Sequence, residues 1–368
     1  MKILVIEGRQ TVGGGQVVTK SVCESLREKH DVAVFIPGDE KSPIASLLAD
    51  FPQFYFKTKE YRRGKKGIRD YFDFVGNLLS VSRVLYKTCK EFAPDILYVQ
   101  HLSLLPIIFL VNLVCRKKVI AHVHVVYVDG VARKIINAIL KTKSVVKVIG
   151  VSDYCLSQFE GIASEKCEVL YNPIRSLPIQ KNPMGEPYNI AVIGDVCESK
   201  GHHVLLKALQ GKSMKCNVHI VGRVVDENYR TKLDKDFNDV PHCYTGMISD
   251  VSAYLREHRV VVVVVSVVGF ETFSLAMTEA WGMGIPTVAT DDFGMKELVH
   301  NLLPAYKDNV LFQLGDSDAL YDKLFALLHD KSLYNSFSED AHKAVQDRLS
   351  VRIFADTIND IISGFVSN

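Results

Sequence analysis

Short apolar runs recur along the chain, separated by longer stretches that mix apolar and polar residues. In the first half these runs are uninterrupted rather than alternating, as at residues 3–6, 32–36 and 96–99. Strands of a parallel sheet that is covered on both faces read in this way. Further strands are predicted at residues 119–125, 146–151 and 168–171, with helices between them and the first helix at about 16–29. This alternation predicts a doubly wound α/β domain.

A proline-rich stretch follows at residues 173–187, which hold four of the twelve prolines of the chain. Proline suits neither a helix interior nor a central strand, so we expect an interdomain segment here. A second α/β series begins at once, and the six consecutive valines of residues 260–265 predict a buried central strand within it. The other predicted elements are strands 188–194, 217–222, 242–245 and 286–290, and helices 201–210, 272–283, 319–328 and from 338 onward.

Length and composition favour two globular domains. The chain has 368 residues, of which 48% are hydrophobic and 23% charged, and this excludes disordered, collagen-like and small disulfide-bonded chains. A net charge of +2 argues against a nucleic-acid partner. The eight cysteines form no CxxC pair and no cluster with zinc-ligand spacing. We find no signal peptide, and the longest apolar stretch, 102–115, is too short to span a membrane, so we expect a reduced, cytoplasmic protein.

Two patterns indicate chemistry. Gly13, Gly14 and Gly15 follow the first predicted strand and precede the first helix, where backbone N–H groups and the helix dipole favour a bound phosphate. A flexible loop is the alternative for three glycines alone. In the second half, Glu271 follows the valine strand directly and Glu279 comes eight positions later, about two turns of a helix. Taken alone, two carboxylates at this spacing are typical of a solvated surface.

The string from Ser266 to Val299 resembles the signature of glycosyltransferase family 4, in which a serine after a strand leads to two glutamates, Gly-x-Pro and Gly-x-x-Glu. This chain supplies Ser266, Glu271, Glu279, Ala280, Gly284, Pro286, Gly294 and Glu297. The resemblance extends over most of the chain, through IEGRQTVGGGQ, VIAHVH, VIGVSDYCLSQF, VLYNPI, NIAVIGDVCESKGHHVLLKAL and DNVLFQLGDSDALYDKLFALLHD.

The resemblance implies the GT-B fold, with two Rossmann-like doubly wound domains facing each other across a cleft. Residues 1–175 would bind the acceptor, residues 186–351 the nucleotide sugar, and a helix of about 352–368 would pack back on the first domain. It also implies a retaining, metal-independent glycosyltransferase that uses no cofactor beyond its UDP- or GDP-linked co-substrate. The acceptor would be a glycan or a lipid-linked molecule, in the synthesis of bacterial surface polysaccharide or glycolipid.

The same resemblance assigns roles to individual residues. The catalytic residues would be His124, at the end of a strand near the reacting sugar, and Glu271, which would hold sugar hydroxyls. Lys200 would bind the diphosphate and Glu279 the ribose hydroxyls, since ionised carboxylates are pure acceptors. The full donor-binding set is Gly14, Gly15, Lys200, Glu271, Phe273, Ser274 and Glu279. His122, two positions before His124, reads better as a core histidine.

Two positions depart from the family pattern. Relatives usually carry an arginine five residues before Lys200, where this chain has Asp195, and a proline before the serine, where it has Val265. Aspartate donates no charge-assisted hydrogen bond to phosphate, so either Arg223 replaces the cation, the alignment shifts locally, or donor binding is weak. Two other functions therefore stay open: a non-catalytic glycosyltransferase-like binding or regulatory protein, and a GT-B nucleotide-sugar epimerase.

A basic segment with aromatic flanks interrupts the first half. Residues 57–69 hold seven lysines and arginines against one acid, with Arg62, Arg63, Lys65 and Lys66 at its centre. We expect this segment to contact the acceptor or an anionic membrane, which would bring the protein to the inner face of the plasma membrane. A solvated loop is the alternative.

Overall fold

A computed structural model describes residues 1–58, 68–128, 130–180 and 185–365, with the side chains of 68–75 excepted. The chain divides into two units. Unit 1 comprises Met1–Tyr171 and the C-terminal residues from Phe354, and unit 2 comprises Asn172–Ile353. The described part of the proline-rich segment belongs to unit 2, because the backbone N–H groups of Leu177 and Gln180 donate to carbonyl groups at the end of a unit 2 helix, at 2.8 and 2.9 Å.

Unit 1 is built on a sheet of seven strands: β1 Lys2–Ile6, β2 Asp31–Pro37, β3 Gln53–Phe56, β4 Ile96–Val99, β5 Lys118–Val123, β6 Val145–Gly150 and β7 Cys167–Val169. All of its pairings are parallel, in the order β3-β2-β1-β4-β5-β6-β7. The strand order reverses between β1 and β4, and ligands of open α/β sheets bind at the carboxyl ends of strands at such a point.

Helices connect these strands: α1 Gly14–Arg27, α2 Pro43–Leu47, α3 Ile68–Glu91, α4 Leu105–Cys115, α5 Gly130–Leu140 and α6 Asp153–Leu156. The apolar stretch 102–115 is thus a short 3₁₀ turn followed by α4, and α4 buries Leu105, Ile108 and Val111. Among the described residues, no helix is both long and apolar enough to cross a membrane.

The described residues of unit 2 form six parallel strands: β8 Tyr188–Ile193, β9 Cys216–Val221, β10 His242–Gly246, β11 Val262–Val265, β12 Thr287–Thr290 and β13 Leu311–Phe312. Their order is β10-β9-β8-β11-β12-β13, so the reversal lies between β8 and β11. The helices are α7 His202–Leu209, α8 Glu227–Asp236, α9 Val251–Glu257, α10 Leu275–Gly282, α11 Phe293–Leu302, α12 Lys307–Val310, α13 Ser317–His329 and α14 Lys331–Ala344. The final helix, α15 Val351–Ser363, belongs to unit 1 from Phe354 onward.

The interior of unit 2 follows from its sequence. The valines of β11 are buried, and β11 pairs with β8 on one side and β12 on the other within the parallel sheet. Trp281 is fully buried, and its indole N–H donates to the Thr287 hydroxyl at 2.8 Å. In unit 1, the amide of Asn359 on α15 donates to the Ser25 carbonyl of α1 at 2.9 Å, which anchors the C-terminal helix.

Three element boundaries differ from the sequence prediction where the site is concerned. Helix α1 begins at Gly14, with Gly13 as its N-cap, so two of the three glycines lie in its first turn. Strand β5 ends at Val123, which leaves His124 just past the strand. Helix α10 begins at Leu275 rather than 272, because the Ser274 hydroxyl caps it by accepting from the Met277 N–H at 3.3 Å. Strands β3 and β13 were not predicted from the sequence. Strand β3 is only four residues long and includes a glutamine, and β13 has only two residues.

Candidate active site

The strand-order reversal of unit 2 brings together two of the residues singled out in the sequence. Lys200 follows β8 and Glu271 follows β11, and their side chains form an ion pair with Nζ and Oε2 2.6 Å apart. Both are largely shielded, with side-chain exposures of 32% and 20%. A cation and a carboxylate therefore lie side by side where α/β sheets bind ligands.

Close backbone packing holds these two residues together. Gly201 has φ +70°, and a Cβ at this position would lie 1.7 Å from the Ser266 carbonyl oxygen. The Ser266 hydroxyl donates to the Gly201 carbonyl at 2.9 Å. The N–H groups of Val268 and Gly269 both donate to the Ser199 carbonyl at 3.0 Å. Three hydrogen bonds thus join the loop after β8 to the loop after β11. Only glycine fits at position 201, where the two loops approach most closely.

The segment after Glu271 is held by a second close approach. The Gly294 N–H, at the start of α11, donates to the Glu271 carbonyl at 2.9 Å. A Cβ on Gly294 would lie 2.2 Å from the Thr272 carbonyl oxygen, so the family-pattern glycine is required by packing. Phe273 is buried and Ser274 caps α10, so both predicted donor-binding residues have structural roles through their side chains. Any donor contact they make would run through their backbone.

Glu279 lies on α10, one turn beyond the capped end. Its side chain reaches solvent, but protein atoms crowd the carboxyl, and this desolvation raises its pKa to about 7. A carboxyl with such a pKa changes between acid and carboxylate near neutral pH.

Asp195, the position where an arginine was expected, also has a cationic partner. The Arg223 guanidinium donates through Nε to Oδ1 at 3.2 Å and through Nη2 to Oδ2 at 2.9 Å. The pair is about half exposed and lies just past the carboxyl ends of β8 and β9. Arg223 thus lies beside the position where the family pattern calls for a cation.

In unit 1 the strand-order reversal is lined by the start of α1 and by a buried carboxylate. Glu7 follows β1 and is 2% exposed. Its Oε1 accepts from the N–H groups of Gly8 and Arg9 at 2.7 and 3.0 Å, and its Oε2 accepts from the Thr19 hydroxyl at 2.8 Å. Glu7 therefore ties the loop before the glycines to α1, which presents the amides of Gly14 and Gly15 in its first turn.

His124 lies at the carboxyl end of β5 among other polar rings. Its Nε2 is in hydrogen-bond contact with Gln100 Oε1, and its ring lies 4.1 Å from that of His122. His122 is fully buried, with Nδ1 3.0 Å from the Tyr98 hydroxyl, as expected for a core histidine. Burial, and to a smaller extent His101, lower the pKa of His124 to about 3. His124 is therefore a neutral imidazole at physiological pH.

Sequence reasoning missed Glu7 and Gln100. A signal for Glu7 was present in the sequence. Glu7 directly follows an apolar strand and precedes the glycine run, and ligands of α/β sheets bind at the carboxyl ends of strands. Gln100 gave no such signal, because its partner His124 follows the neighbouring strand of the sheet, β5, which is distant in the sequence. Arg62, Arg63, Lys65 and Lys66 lie outside the residues that the structure describes. Within the described ranges, no group of three or more His, Cys, Asp or Glu side chains is arranged to hold a metal ion.

Comparisons with known proteins address both units. Residues 12–176 match the family described as Glycosyltransferase Family 4, and residues 187–330 match Glycosyl transferases group 1. The chain belongs to glycosyltransferase family 4. The family 4 chain is 22% identical over 245 residues to the capsular polysaccharide biosynthesis glycosyltransferase CapM of Staphylococcus aureus. That match covers 65% of this chain and 60% of CapM.

Solved structures confirm the predicted GT-B fold of this family 4 glycosyltransferase. Anabaena HepE in complex with UDP-glucose superposes with a TM-score of 0.82 at 18% identity, covering 99% of this chain and all of that one. The apo lipopolysaccharide outer core galactosyltransferase WaaB gives 0.76 at 16% identity, over 99% of both chains. A glycosyltransferase from Rickettsia africae gives 0.79 at 15% identity, over 100% of this chain and 99% of that one.

Proposed function

We propose that this chain is a retaining glycosyltransferase that moves a sugar from a UDP- or GDP-linked donor to a glycan or lipid-linked acceptor. The process would be the synthesis of bacterial surface polysaccharide or glycolipid. The observation that carries the proposal is the Lys200–Glu271 pair at the strand-order reversal of unit 2. In a family 4 glycosyltransferase, these two residues are the expected contacts of the diphosphate and of the transferred sugar.

The chemistry of the pair fits a nucleotide sugar. A lysine ammonium has three N–H donors, and one is used on Glu271 Oε2, so the others can reach phosphate oxygens. Glu271 Oε1 can accept from a sugar hydroxyl at the same time. Because Nζ and Oε2 are 2.6 Å apart, one ligand must carry an anionic group and a hydroxyl-bearing group in direct succession to satisfy both. A sugar joined to a diphosphate has this arrangement.

Glu279 is proposed to accept from the ribose hydroxyls of the donor. Both oxygens of Glu279 can accept hydrogen bonds in this way only when the side chain is a carboxylate. Because its pKa is about 7, the carboxylate form predominates above neutral pH. Hydroxyl donors next to the carboxylate would stabilise the charged form and lower this pKa in the donor complex.

In unit 1 the proposed roles are positioning and hydrogen bonding. The amides of Gly14 and Gly15 at the start of α1 suit an anionic group of a substrate. His124 stays neutral, so we assign it a hydrogen bond to the donor sugar or the acceptor rather than a role as a cationic acid. Proton removal from the acceptor is assigned to the leaving phosphate, as the family resemblance implies.

The enzymatic proposal is tested by incubating the purified chain with UDP-glucose, UDP-galactose or GDP-mannose, with and without EDTA. UDP-glucose comes first because HepE was solved with it. We expect release of the nucleotide from one donor, undiminished by EDTA, as the sugar is transferred to water, and the anomeric proton of the freed sugar should show retained configuration by NMR before mutarotation. An inverted product would contradict the retaining mechanism. Release of free nucleotide with an epimerised sugar would favour the epimerase, and binding without turnover would favour a non-catalytic protein.

We also propose that unit 1 contacts an anionic membrane, and an apolar helix face supports this. Helix α4 has a single amide side chain, the buried Asn112, and is otherwise apolar, yet it exposes Leu110, Leu113 and Val114, at 42%, 60% and 67%. A helix that is apolar all round is ordinarily buried. Helices α3 and α5 pack against α4 and expose further apolar side chains, among them Leu79 and Val131.

Charge around this face favours lipid over a second copy of the chain. Asp129 is the only acidic residue between Asp95 and Asp153. Exposed basic residues outnumber exposed acids in the described C-terminal part of α3, at the end of α4 and on α5, where Glu91 is accompanied by Arg83, Lys87, Lys90, Arg116, Arg133 and Lys134. Two copies meeting at this face would bring like charges together, whereas anionic headgroups would attract each basic side chain by about 1 kcal/mol.

Vesicle co-sedimentation tests the membrane contact. We expect the protein to pellet with vesicles of phosphatidylcholine mixed with phosphatidylglycerol and not with vesicles of phosphatidylcholine alone. Leu113→Glu with Val114→Glu should abolish pelleting, while Val351→Glu, at an exposed valine of α15, should not. A Lys65→Gln, Lys66→Gln variant, tested in parallel, measures how much the basic segment contributes to vesicle binding. Equal pelleting on neutral vesicles, or a dimer in solution that the α4 changes disrupt, would contradict the proposal.

A further inference from the structure

The ends of strands β8 and β9 approach each other unusually closely. Gly194 and Gly222 follow these strands with φ +148° and +159°, and a Cβ on Gly222 would lie 1.9 Å from the Gly194 carbonyl oxygen. Hydrogen bonds continue past the strands, since the Gly194 N–H donates to Val221 at 2.9 Å and the Val196 N–H to Arg223 at 2.8 Å. The two loops are thereby fixed side by side, and Asp195 and Arg223 project from matching positions.

The Asp195–Arg223 contact leaves donors available. Both carboxylate oxygens of Asp195 face the guanidinium, which donates through Nε and Nη2. A guanidinium carries further N–H groups in the same planar fork, and within the described parts of the chain they have no hydrogen-bond acceptor. Asp195 also raises the pKa of Arg223, chiefly through these hydrogen bonds, so the side chain is permanently cationic. Arg223 can therefore hold Asp195 and bind an anion at once.

Lys200 lies against the same glycine. Its Cδ and Cε are 3.5 Å from the place where a Cβ on Gly194 would be, one residue before Asp195. The stem of Lys200 thus passes the end of β8 on its way to Glu271. The loops at the ends of β8, β9 and β11 thus contain two ion pairs, Lys200–Glu271 and Arg223–Asp195.

We infer that Arg223 supplies the second cation for the donor diphosphate, and that Asp195 is a positioning residue that orients its guanidinium. The chain would then have moved this cation from the loop after β8, where relatives carry an arginine, to the loop after β9. The inference rests on the proposed donor site and deepens it. Of the three explanations for Asp195 that the sequence left open, the bidentate geometry favours replacement by Arg223.

The arrangement makes an asymmetric prediction for variants. Arg223→Ala removes a cation and also leaves the Asp195 carboxylate uncompensated beside the diphosphate, so two unfavourable effects combine. Arg223→Ala with Asp195→Asn removes the cation together with the opposing negative charge, and should bind the donor more tightly than Arg223→Ala alone. Arg223→Lys keeps the positive charge but loses the planar guanidinium, so its affinity for the donor should lie between those of the wild type and Arg223→Ala.

The experiment measures the affinity of the purified full chain for UDP, with GDP in parallel, by calorimetry. We expect Arg223→Ala to weaken nucleotide diphosphate binding about tenfold or more, as lost charge-assisted hydrogen bonds usually do. The double variant should recover part of that loss. Arg256→Ala, which removes an exposed guanidinium at the end of α9, is the matched control and should bind as wild type does.

The outcomes separate this inference from the donor site on which it rests. If Lys200→Ala weakens binding and Arg223→Ala does not, the donor site stands and the role of Arg223 is wrong. If the double variant binds no better than Arg223→Ala, Asp195 does not act through Arg223. If the wild type binds neither UDP nor GDP, the proposed donor site itself fails.

Discussion

The Lys200→Ala variant removes the ammonium that lies 2.6 Å from Glu271 Oε2, and it separates a catalytic role from a structural one. The ion pair is partly exposed and pairs of this kind contribute about 0–1 kcal/mol, so the free energy of unfolding should change little. A hydrogen bond from the ammonium to a phosphate is worth about 1.5–3 kcal/mol, which corresponds to about a 10- to 150-fold loss. We therefore expect kcat/KM for the donor to fall by that factor while Tm stays nearly unchanged.

The assay follows nucleotide release from whichever donor the wild-type enzyme turns over, alongside thermal unfolding of each variant. Lys215→Ala is the control, because it removes an exposed lysine from the same unit. A kcat/KM within about twofold of wild type, less than the smallest factor that a lost charged hydrogen bond predicts, would refute the assignment of Lys200 to the diphosphate. A large drop in Tm would show that the pair holds the two loops together, and that part of any lost activity reflects folding.

Three further outcomes follow from the geometry. The donor KM of the wild type should rise as pH falls from about 8 to about 6, because Glu279, with a pKa of about 7, becomes protonated and accepts fewer hydrogen bonds. In a pH–rate series, Glu279→Gln should remove this dependence of KM on pH. Gly201→Ala should lower Tm more than Gly211→Ala. Both glycines have φ near +70°, so backbone strain of about 1–3 kcal/mol is common to the two variants. At Gly201 the added Cβ would also lie 1.7 Å from the Ser266 carbonyl oxygen, whereas at Gly211 it would meet open space. Equal Tm values would contradict the close approach. Glu7→Ala should reduce the free energy of unfolding in urea by about 1–3 kcal/mol or more, since buried donors lose their acceptor, and an unchanged midpoint would show that water replaces the carboxylate.

The sequence predicted where Glu271 and Glu279 lie relative to the strands and helices of unit 2. Glu271 and Glu279 were placed correctly relative to the valine strand because one is adjacent to it and the other lies on the following helix, which are local relations. The start of α10 was predicted three residues early, since Thr272 and Phe273 suit a helix as well as a loop. The capping hydrogen bond of Ser274 decides the boundary, and it depends on backbone geometry that the apolar pattern does not record.

Contacts between loops of different strands could not be predicted. Lys200 and Glu271 are 71 positions apart, and nothing in their spacing shows that β8 pairs with β11. Arg223 could be named as a candidate cation, but its contact with Asp195 depends on β8 pairing with β9 and on two glycines at the ends of those strands. In unit 1, the contact between Gln100 and His124 depends in the same way on β4 pairing with β5.

At the proposed donor site, the Lys200–Glu271 and Arg223–Asp195 pairs explain why a site for an anion can carry no excess positive charge before it is occupied. Lys200 and Arg223 each use only part of their hydrogen-bonding capacity on a carboxylate, so a diphosphate can bind without breaking either pair. The carboxylates then fix where the cations point, which lowers the entropy lost when the donor binds. Glu271 has a further consequence, since the oxygen that holds Lys200 and the oxygen proposed to hold the sugar share one carboxyl carbon. The distance between the diphosphate contact and the sugar contact is therefore set by a single carboxylate.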